Sequence, residues 1–170
     1  MPKQLIKITF VIPSLAAGGA ERILSFIAQN LNPQIFDAIL LVIGFEKDKV
    51  YDIGELNVVY LNKPRVVSAI PSLIRYLRKN KPRIVVSSIV HLNTIMALLS
   101  VFFPKITFVA REANVLSVLK KYNNNSKIYF PKFLIVLAYK LIDCLICQSK
   151  DMQKDMINNY KVSRKKTILI

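Results

Sequence analysis

The chain has 170 residues, 53% of them hydrophobic, and a formal net charge of +15. That length supports one domain with a real core, and that apolar content excludes a disordered chain. The basic excess selects anionic partners, namely nucleic acid, an anionic membrane or phosphorylated substrates, unless it is only a solvated lysine-rich surface.

Leu5 to Ile12 is rich in β-branched residues and stops at Pro13, which predicts a buried strand. The run holds Lys7 and leads into a Gly-rich loop, not a small-residue cleavage site, so it does not read as a signal peptide. Ala20 to Leu31 carries Ile23, Leu24, Ile27, Ala28 and Leu31 at helical spacing and closes at Asn32-Pro33. Phe36 to Ile43 predicts a second strand, stopped at Gly44. Residues 46–55 are polar, a loop or short helix, and Val58 to Leu61 is a short strand. Val67 to Lys79 predicts a helix with Ile70, Leu73, Ile74 and Leu77 on one face, and Lys81-Pro82 leads into a strand over Arg83 to Ser87.

Asn93 to Phe102 predicts a helix with Asn93 as its N-cap, ended by Pro104. Ile106 to Ala110 is a strand, and Arg111 to Ser126 is irregular and polar. Pro131 to Leu141 reads as an apolar helix and Cys144 to Cys147 as a strand. Ser149 caps a helix reaching Tyr160, with Asp151 at the positive end of its dipole, and Lys166 to Ile170 opens another strand. The longest membrane-span candidate, Ile128 to Ile146, is cut by Pro131, Lys132, Lys140 and Asp143, short of the roughly 20 apolar residues a span needs. Cys144 and Cys147 fall at i and i+3 of a strand, on opposite faces, so buried thiols are expected rather than a metal or redox pair. They fit a reducing cytoplasm.

Strand and helix alternate throughout, and several strands are apolar on both faces. This predicts an α/β fold, a Rossmann-like, doubly wound parallel sheet. Ligands of such sheets bind beyond the carboxyl ends of the strands, which singles out residues 13–21, His91, Arg111-Glu112 and Gln148-Ser149. Gly18 and Gly19 let the backbone approach a ligand and adopt positive φ, and the helix after them points free N–H groups at the same place. A diphosphate suits that corner, although a tight turn alone also requires glycines. There is no G-x-G-x-x-G and no Gly-Lys-Ser/Thr, so neither a dinucleotide fingerprint nor a P-loop is present. His91 reads as a ligand contact or a loop histidine, and Arg111-Glu112 as a cleft pair or a surface ion pair.

Between Glu55 and Glu112 there is no carboxylate, while Lys63, Arg65, Arg75, Arg78, Lys79 and other cations fall there. Tyr60 and Tyr76 are the only aromatics of that stretch before Phe102, so base stacking is poorly served and no nucleic-acid partner is expected. A basic module for peripheral membrane or anion binding remains the alternative to an enzyme. Tyr129 to Leu137, with Lys127 and Lys132, suits either the headgroup region of a membrane or an ordinary core helix.

A strand followed by Pro13-Ser14-Leu15, two residues, Gly18-Gly19-Ala20-Glu21-Arg22 and an amphipathic helix resembles the opening of the retaining glycosyltransferase family 4, which has the two-domain GT-B fold. His91, Arg111-Glu112-Ala113-Asn114 and Gln148-Ser149-Lys150 each look like the equivalent family segment, and the bacterial members that extend lipid-linked oligosaccharides or surface polysaccharides look most similar. The resemblance implies one half of a GT-B fold and retaining transfer of a hexose from a UDP- or GDP-sugar to a glycan or lipid-linked acceptor. It implies that Gly18, Gly19 and Ala20 sit near the donor diphosphate and sugar, and that His91 sits beside the donor sugar as the catalytic-site residue. It further implies that Ser14, Arg111, Glu112 and Ser149 line the acceptor side of the cleft. No metal or other cofactor is implied, since the nucleotide-sugar is a substrate. The family's Glu-x7-Glu motif belongs to a C-terminal donor-binding domain and does not occur here; Ile168-Leu169-Ile170 looks like the strand before the hinge into it. Residues 1–170 are thus expected to be the N-terminal, acceptor-side domain, inactive alone and cytoplasmic, with the inner face of the cell membrane as a further partner.

Overall fold

A computed structural model of the chain describes residues 4–16, 18–118 and 130–170. Seven parallel strands form one sheet in the order β3-β2-β1-β4-β5-β6-β7. They are β1 (Ile6–Ile12), β2 (Phe36–Val42), β3 (Asn57–Tyr60), β4 (Ile84–Ser88), β5 (Thr107–Arg111), β6 (Cys144–Cys147) and β7 (Thr167–Leu169). Between them run α1 (Gly19–Gln29), α2 (Ile70–Asn80), α3 (Val90–Ser100), α4 (Lys132–Leu141) and α5 (Lys150–Tyr160). The order reverses between β1 and β4, because the chain winds outward through β2 and β3 and then crosses back over β1.

That reversal divides the helices between the faces. Phe10 and Ile12 of β1 pack with Leu24 and Ala28 of α1, whereas Val11 packs in a cluster with Leu73 and Leu77 of α2 and Leu92 and Ile95 of α3. A third cluster joins Ala138 and Tyr139 of α4 to Leu145 and Cys147 of β6 and to Met152 and Met156 of α5. Val11, Ile12, Leu40 and Leu41 are wholly buried, which explains why the central strands are apolar on both faces. Each such side chain contributes about 1.5–3 kcal/mol of burial. This is the doubly wound, Rossmann-like α/β architecture expected from the alternation of elements.

Several boundaries differ from the sequence reading. The helix predicted from Asn93 starts at Val90, and Asn93 is buried inside it rather than capping it. The start is early because Ile89 alone makes the turn from β4, at φ 76° and ψ 131°. Residues 46–48 form a 3-10 turn, and another at Val67–Ala69 leads into α2. Ser149 does cap α5: its Oγ accepts from the Met152 N–H at 3.1 Å. Cys144 and Cys147 are free thiols, the second packed in the core. Of the irregular segment 111–126, residues 119–126 lie outside the described residues, as do Lys127 and Tyr129 of the candidate headgroup segment. Among the described residues no helix is long and apolar enough to cross a membrane, and no group of three or more His, Cys, Asp or Glu is placed to hold a metal.

Candidate functional site

The ends of β1, β2 and β3 are stitched together by main-chain bonds. Gly44 N–H donates to the Pro13 carbonyl at 2.8 Å, and Lys63 N–H donates to the Ile43 carbonyl at 2.8 Å. Gly44 has no Cβ, and one placed there would lie 3.1 Å from the Pro13 carbonyl oxygen and 3.4 Å from Ser14 Cβ. Close approach of two strand ends, not positive φ, is what this glycine serves. Asn62 adopts φ 53°, which turns the chain back over the sheet edge.

Above this floor lies a cavity of about 800 Å³. Its walls are Pro13 and Ser14 after β1, Gly44 and Phe45 after β2, residues 63–67 after β3, His91 and Ile95 of α3, and Phe130. The size suits a small-molecule ligand, and the position flanks the β1/β4 reversal, where open α/β sheets bind theirs. His91 is half-buried in the first turn of α3, and burial holds its pKa below the usual histidine value. Its imidazole is therefore mainly neutral at pH 7, able to donate and accept a hydrogen bond. It is placed there by Ile89, a β-branched residue at positive φ. Such a backbone costs about 1–3 kcal/mol and persists only where the surroundings enforce it.

The opposite side of the sheet edge, over β4, β5 and β6, is closed. Ser87 Oγ donates to Asn93 Oδ1 at 2.7 Å, and Asn93 Nδ2 donates to Glu112 Oε1 at 2.7 Å and to the Arg111 carbonyl at 3.0 Å. The Tyr139 hydroxyl donates to the same Glu112 oxygen. These groups tie β4, α3, β5 and α4 together. Burial pushes Glu112 up to about 7, against the hydrogen bonds from Tyr139 and Asn93 and the charge of Arg111. Burial, then the Glu112 charge, keeps the Tyr139 phenol well above its ordinary range, so it remains a donor. Arg111 Nη1 donates to Ser88 Oγ at 3.2 Å, while its buried Nε has no partner among the described residues.

The structure brings Ser14 and His91 to one cavity. Arg111 and Glu112 are instead 2% and 1% exposed, so neither a surface ion pair nor a cleft-floor surface describes them. The physical reason is their register: β5 ends between β4 and β6, and α3 and α4 cover it. Ser149 reaches solvent and spends its hydroxyl on the α5 cap. Gly18, Gly19 and Ala20 form the start of α1, outside the cavity wall. The glycine pair does not use positive φ: Gly18 is extended at φ −142°, and Gly54 is the positive-φ glycine among the described residues. What Gly18 provides is room, because the Glu21 carboxylate folds back into the place a Cβ would take. An acid at that position complements the positive end of α1. Gly19 opens onto free space.

Asn93, Tyr139, Lys63 and Arg65 were not singled out as site residues by the sequence. For Asn93 a signal existed: a lone amide in the apolar run Leu92 to Leu99 needs buried partners. For the other three no local pattern distinguishes them.

A model of Glycosyltransferase Family 4 matches residues 17–170. The chain belongs to that family. No curated protein matches it significantly. Among solved structures, HepE of Anabaena in complex with UDP-glucose superposes with TM-score 0.67 at 16% identity, over 96% of this chain and 43% of that one. The lipopolysaccharide outer core galactosyltransferase WaaB, in its apo form, gives 0.71 at 13% identity, over 95% and 44%. A putative UDP-N-acetylglucosamine 2-epimerase from Listeria monocytogenes gives 0.70 at 11% identity, over 96% and 44%. At these identities the likeness is one of fold, and the family 4 chain spans less than half the length of each. The Rossmann-like sheet is one half of a GT-B architecture, and epimerases share it, so the fold alone does not select the reaction.

Proposed function

We propose that this family 4 domain supplies the acceptor side of a retaining glycosyltransferase. The enzyme would move a hexose from a nucleotide-sugar to a hydroxyl of a glycan or lipid-linked acceptor in surface-polysaccharide synthesis. The observation that carries this is the cavity at the β1/β4 reversal, with Ser14 and His91 on its wall, in a chain of this family. In the reaction the bond from the sugar C1 to the diphosphate oxygen breaks, and a bond from C1 to the acceptor oxygen forms. The acceptor proton passes to the departing diphosphate, whose oxygens take up the electron pair of the broken bond. His91, neutral at pH 7, is suited to hydrogen-bond a hydroxyl of the donor sugar. Gly19 and Ala20 present free helix N–H groups toward the diphosphate, the electrostatic help such a leaving group needs. Glu21 already holds an anion at that end of α1, so the diphosphate must displace it or share with it. Arg111 and Glu112 act from beneath, fixing α3 against β5. The donor-binding groups of the other half lie in a C-terminal domain outside residues 1–170, no metal takes part, and the setting is the cytoplasmic face of the membrane.

A membrane contact has its own observation: on α4, Phe133 is 73% and Leu137 is 50% exposed, with Lys140 one turn further. Inward-facing Ile135, Ala138 and Tyr139 make α4 a core helix as well, so the two roles of this segment occupy different faces. Titration of the 15N-labelled chain with UDP-glucose tests the donor placement. Weak, millimolar-range shifts are expected at Gly18, Gly19, Ala20 and His91; silence there at saturating ligand elsewhere on the chain sinks it.

A further inference from the structure

We propose that the cavity binds an amphiphile in which a phosphate adjoins an apolar chain, with Lys63 and Arg65 holding the phosphate. The inference rests on the acceptor-side reading above and names the substrate class of that same site. Most of the wall is apolar, including Ile43, Phe45, Val66, Ile95 and Phe130. A free sugar, polar all round, matches such a wall poorly. Lys63 and Arg65 stand on the same wall, and neither side chain has a hydrogen-bond or ion-pair partner among the described residues. Lys63 is nonetheless fixed at its backbone by the left-handed Asn62 and by its N–H bond to Ile43. Asp48 is the one acid among the lining residues. Lys47 adds a further cation near the same rim, its Nζ 5.5 Å from the centre of the Phe45 ring. The lining cations therefore outnumber the carboxylate, with His91 neutral. An uncharged acceptor would leave both cations idle, whereas a phosphate gives Arg65 a planar fork of charge-assisted hydrogen bonds and Lys63 a point contact.

The apolar chain of such a ligand can belong to an isoprenoid or to a glycerophospholipid. Titration of the 15N-labelled 170-residue chain at low ionic strength with geranyl phosphate and with dihexanoyl phosphatidic acid tells them apart. Saturable shifts at Gly44, Lys63, Val66 and Ile95 are expected with at least one of the two, and the tighter one names the source. Geraniol and inorganic phosphate should each bind roughly tenfold more weakly or worse, because each lacks half of the match. K63A/R65A should weaken the phosphorylated amphiphile by roughly tenfold or more without loss of fold, since both side chains reach solvent. The inference is overturned if inorganic phosphate binds as tightly as the amphiphiles, if K63A/R65A binds them unchanged, or if the shifts map elsewhere. It is also overturned if UDP-glucose uses Lys63 and Arg65 instead. Shifts from UDP-glucose at Gly18 to Ala20 without any cavity response would defeat this inference alone. A cavity response without any UDP-glucose response would defeat the donor placement alone.

Discussion

The carboxyl edge of the sheet has two unlike halves. Over β1, β2 and β3 it is open, and Lys63 and Arg65 stand on the cavity wall with no side-chain partner among the described residues. Over β4, β5 and β6 it is shut, and Ser87, Asn93, Glu112 and Tyr139 answer one another out of water. The first half can be changed cheaply for the fold and dearly for binding; the second is the reverse. α3 belongs to both, since His91 and Ile95 face the cavity while Asn93, on the same turns, faces the network. Buried polar groups tolerate few arrangements, so the closed half holds the helix that furnishes the open half.

The sharpest way to break this division is Asn93→Ala. It strips partners from Ser87, Glu112 and the Arg111 carbonyl at once. A loss of about 3–5 kcal/mol is expected in urea unfolding, since each buried group left unpaired costs about 1–3 kcal/mol. A loss below about 1 kcal/mol would mean that the network is dispensable. The Gly18 end of α1, in the other core cluster, should keep its chemical shifts in whatever folded protein remains.

Glu112→Gln sets the next largest effect, and it depends on pH. The folded carboxyl titrates near 7 and the unfolded one near 4.5. Between those values the unfolded chain releases a proton that the folded one retains, so wild-type stability falls as pH rises from about 4.5 to about 7 and stays low above it. Gln does not titrate. The stability of the variant relative to wild type should therefore rise by on the order of 2–3 kcal/mol between pH 4.5 and pH 8. His91 contributes with the opposite sign, because its pKa is lowered, but it is common to both proteins and cancels. Urea midpoints measured for the pair across that range decide the matter; parallel curves would remove Glu112 as a titrating group.

The halves also differ in how far the sequence discloses them. Strand and helix periodicity reveals the doubly wound sheet, because Val11, Ile12, Leu40 and Leu41 must be apolar whatever lies beyond them. Ser14 and His91 are legible because they follow strands, and strand ends are where such sheets bind ligands. Asn93 misleads: an amide at the start of an apolar run predicts a cap by local rules, and the tertiary need of Glu112 overrides them. The partnership of Glu112 with Tyr139 spans 27 residues and depends on α4 packing beside α3, which no local pattern encodes. Gly18 is legible as a glycine needed at a loop, but the reason is the space taken by Glu21, not backbone handedness; at Gly19, which faces open space, neither space nor handedness requires a glycine. Lys63 and Arg65 look like any other members of a basic stretch until β3 is set beside β2.

The smallest expected effect falls on the open half and tests whether it can be altered alone. In Gly44→Ala the new Cβ meets the Pro13 carbonyl oxygen at 3.1 Å, a contact that the 2.8 Å hydrogen bond from Gly44 N–H to that same oxygen prevents from relaxing freely. Overpacking of this kind costs about 1–3 kcal/mol, and Ala returns about 0.4–1 kcal/mol by restricting the unfolded chain. A net loss of about 1 kcal/mol is expected, read from the urea midpoint. The stitch between β1 and β2 is also the floor of the cavity, so binding of geranyl phosphate should weaken by more than so small a loss of stability explains. The pH dependence set by Glu112 should stay as in wild type, because that carboxyl lies across β4, bonded to Asn93 and Tyr139 rather than to any cavity residue. If Gly44→Ala flattens the pH dependence, the two halves are one cooperative unit, and α3 transmits strain from the cavity into the network.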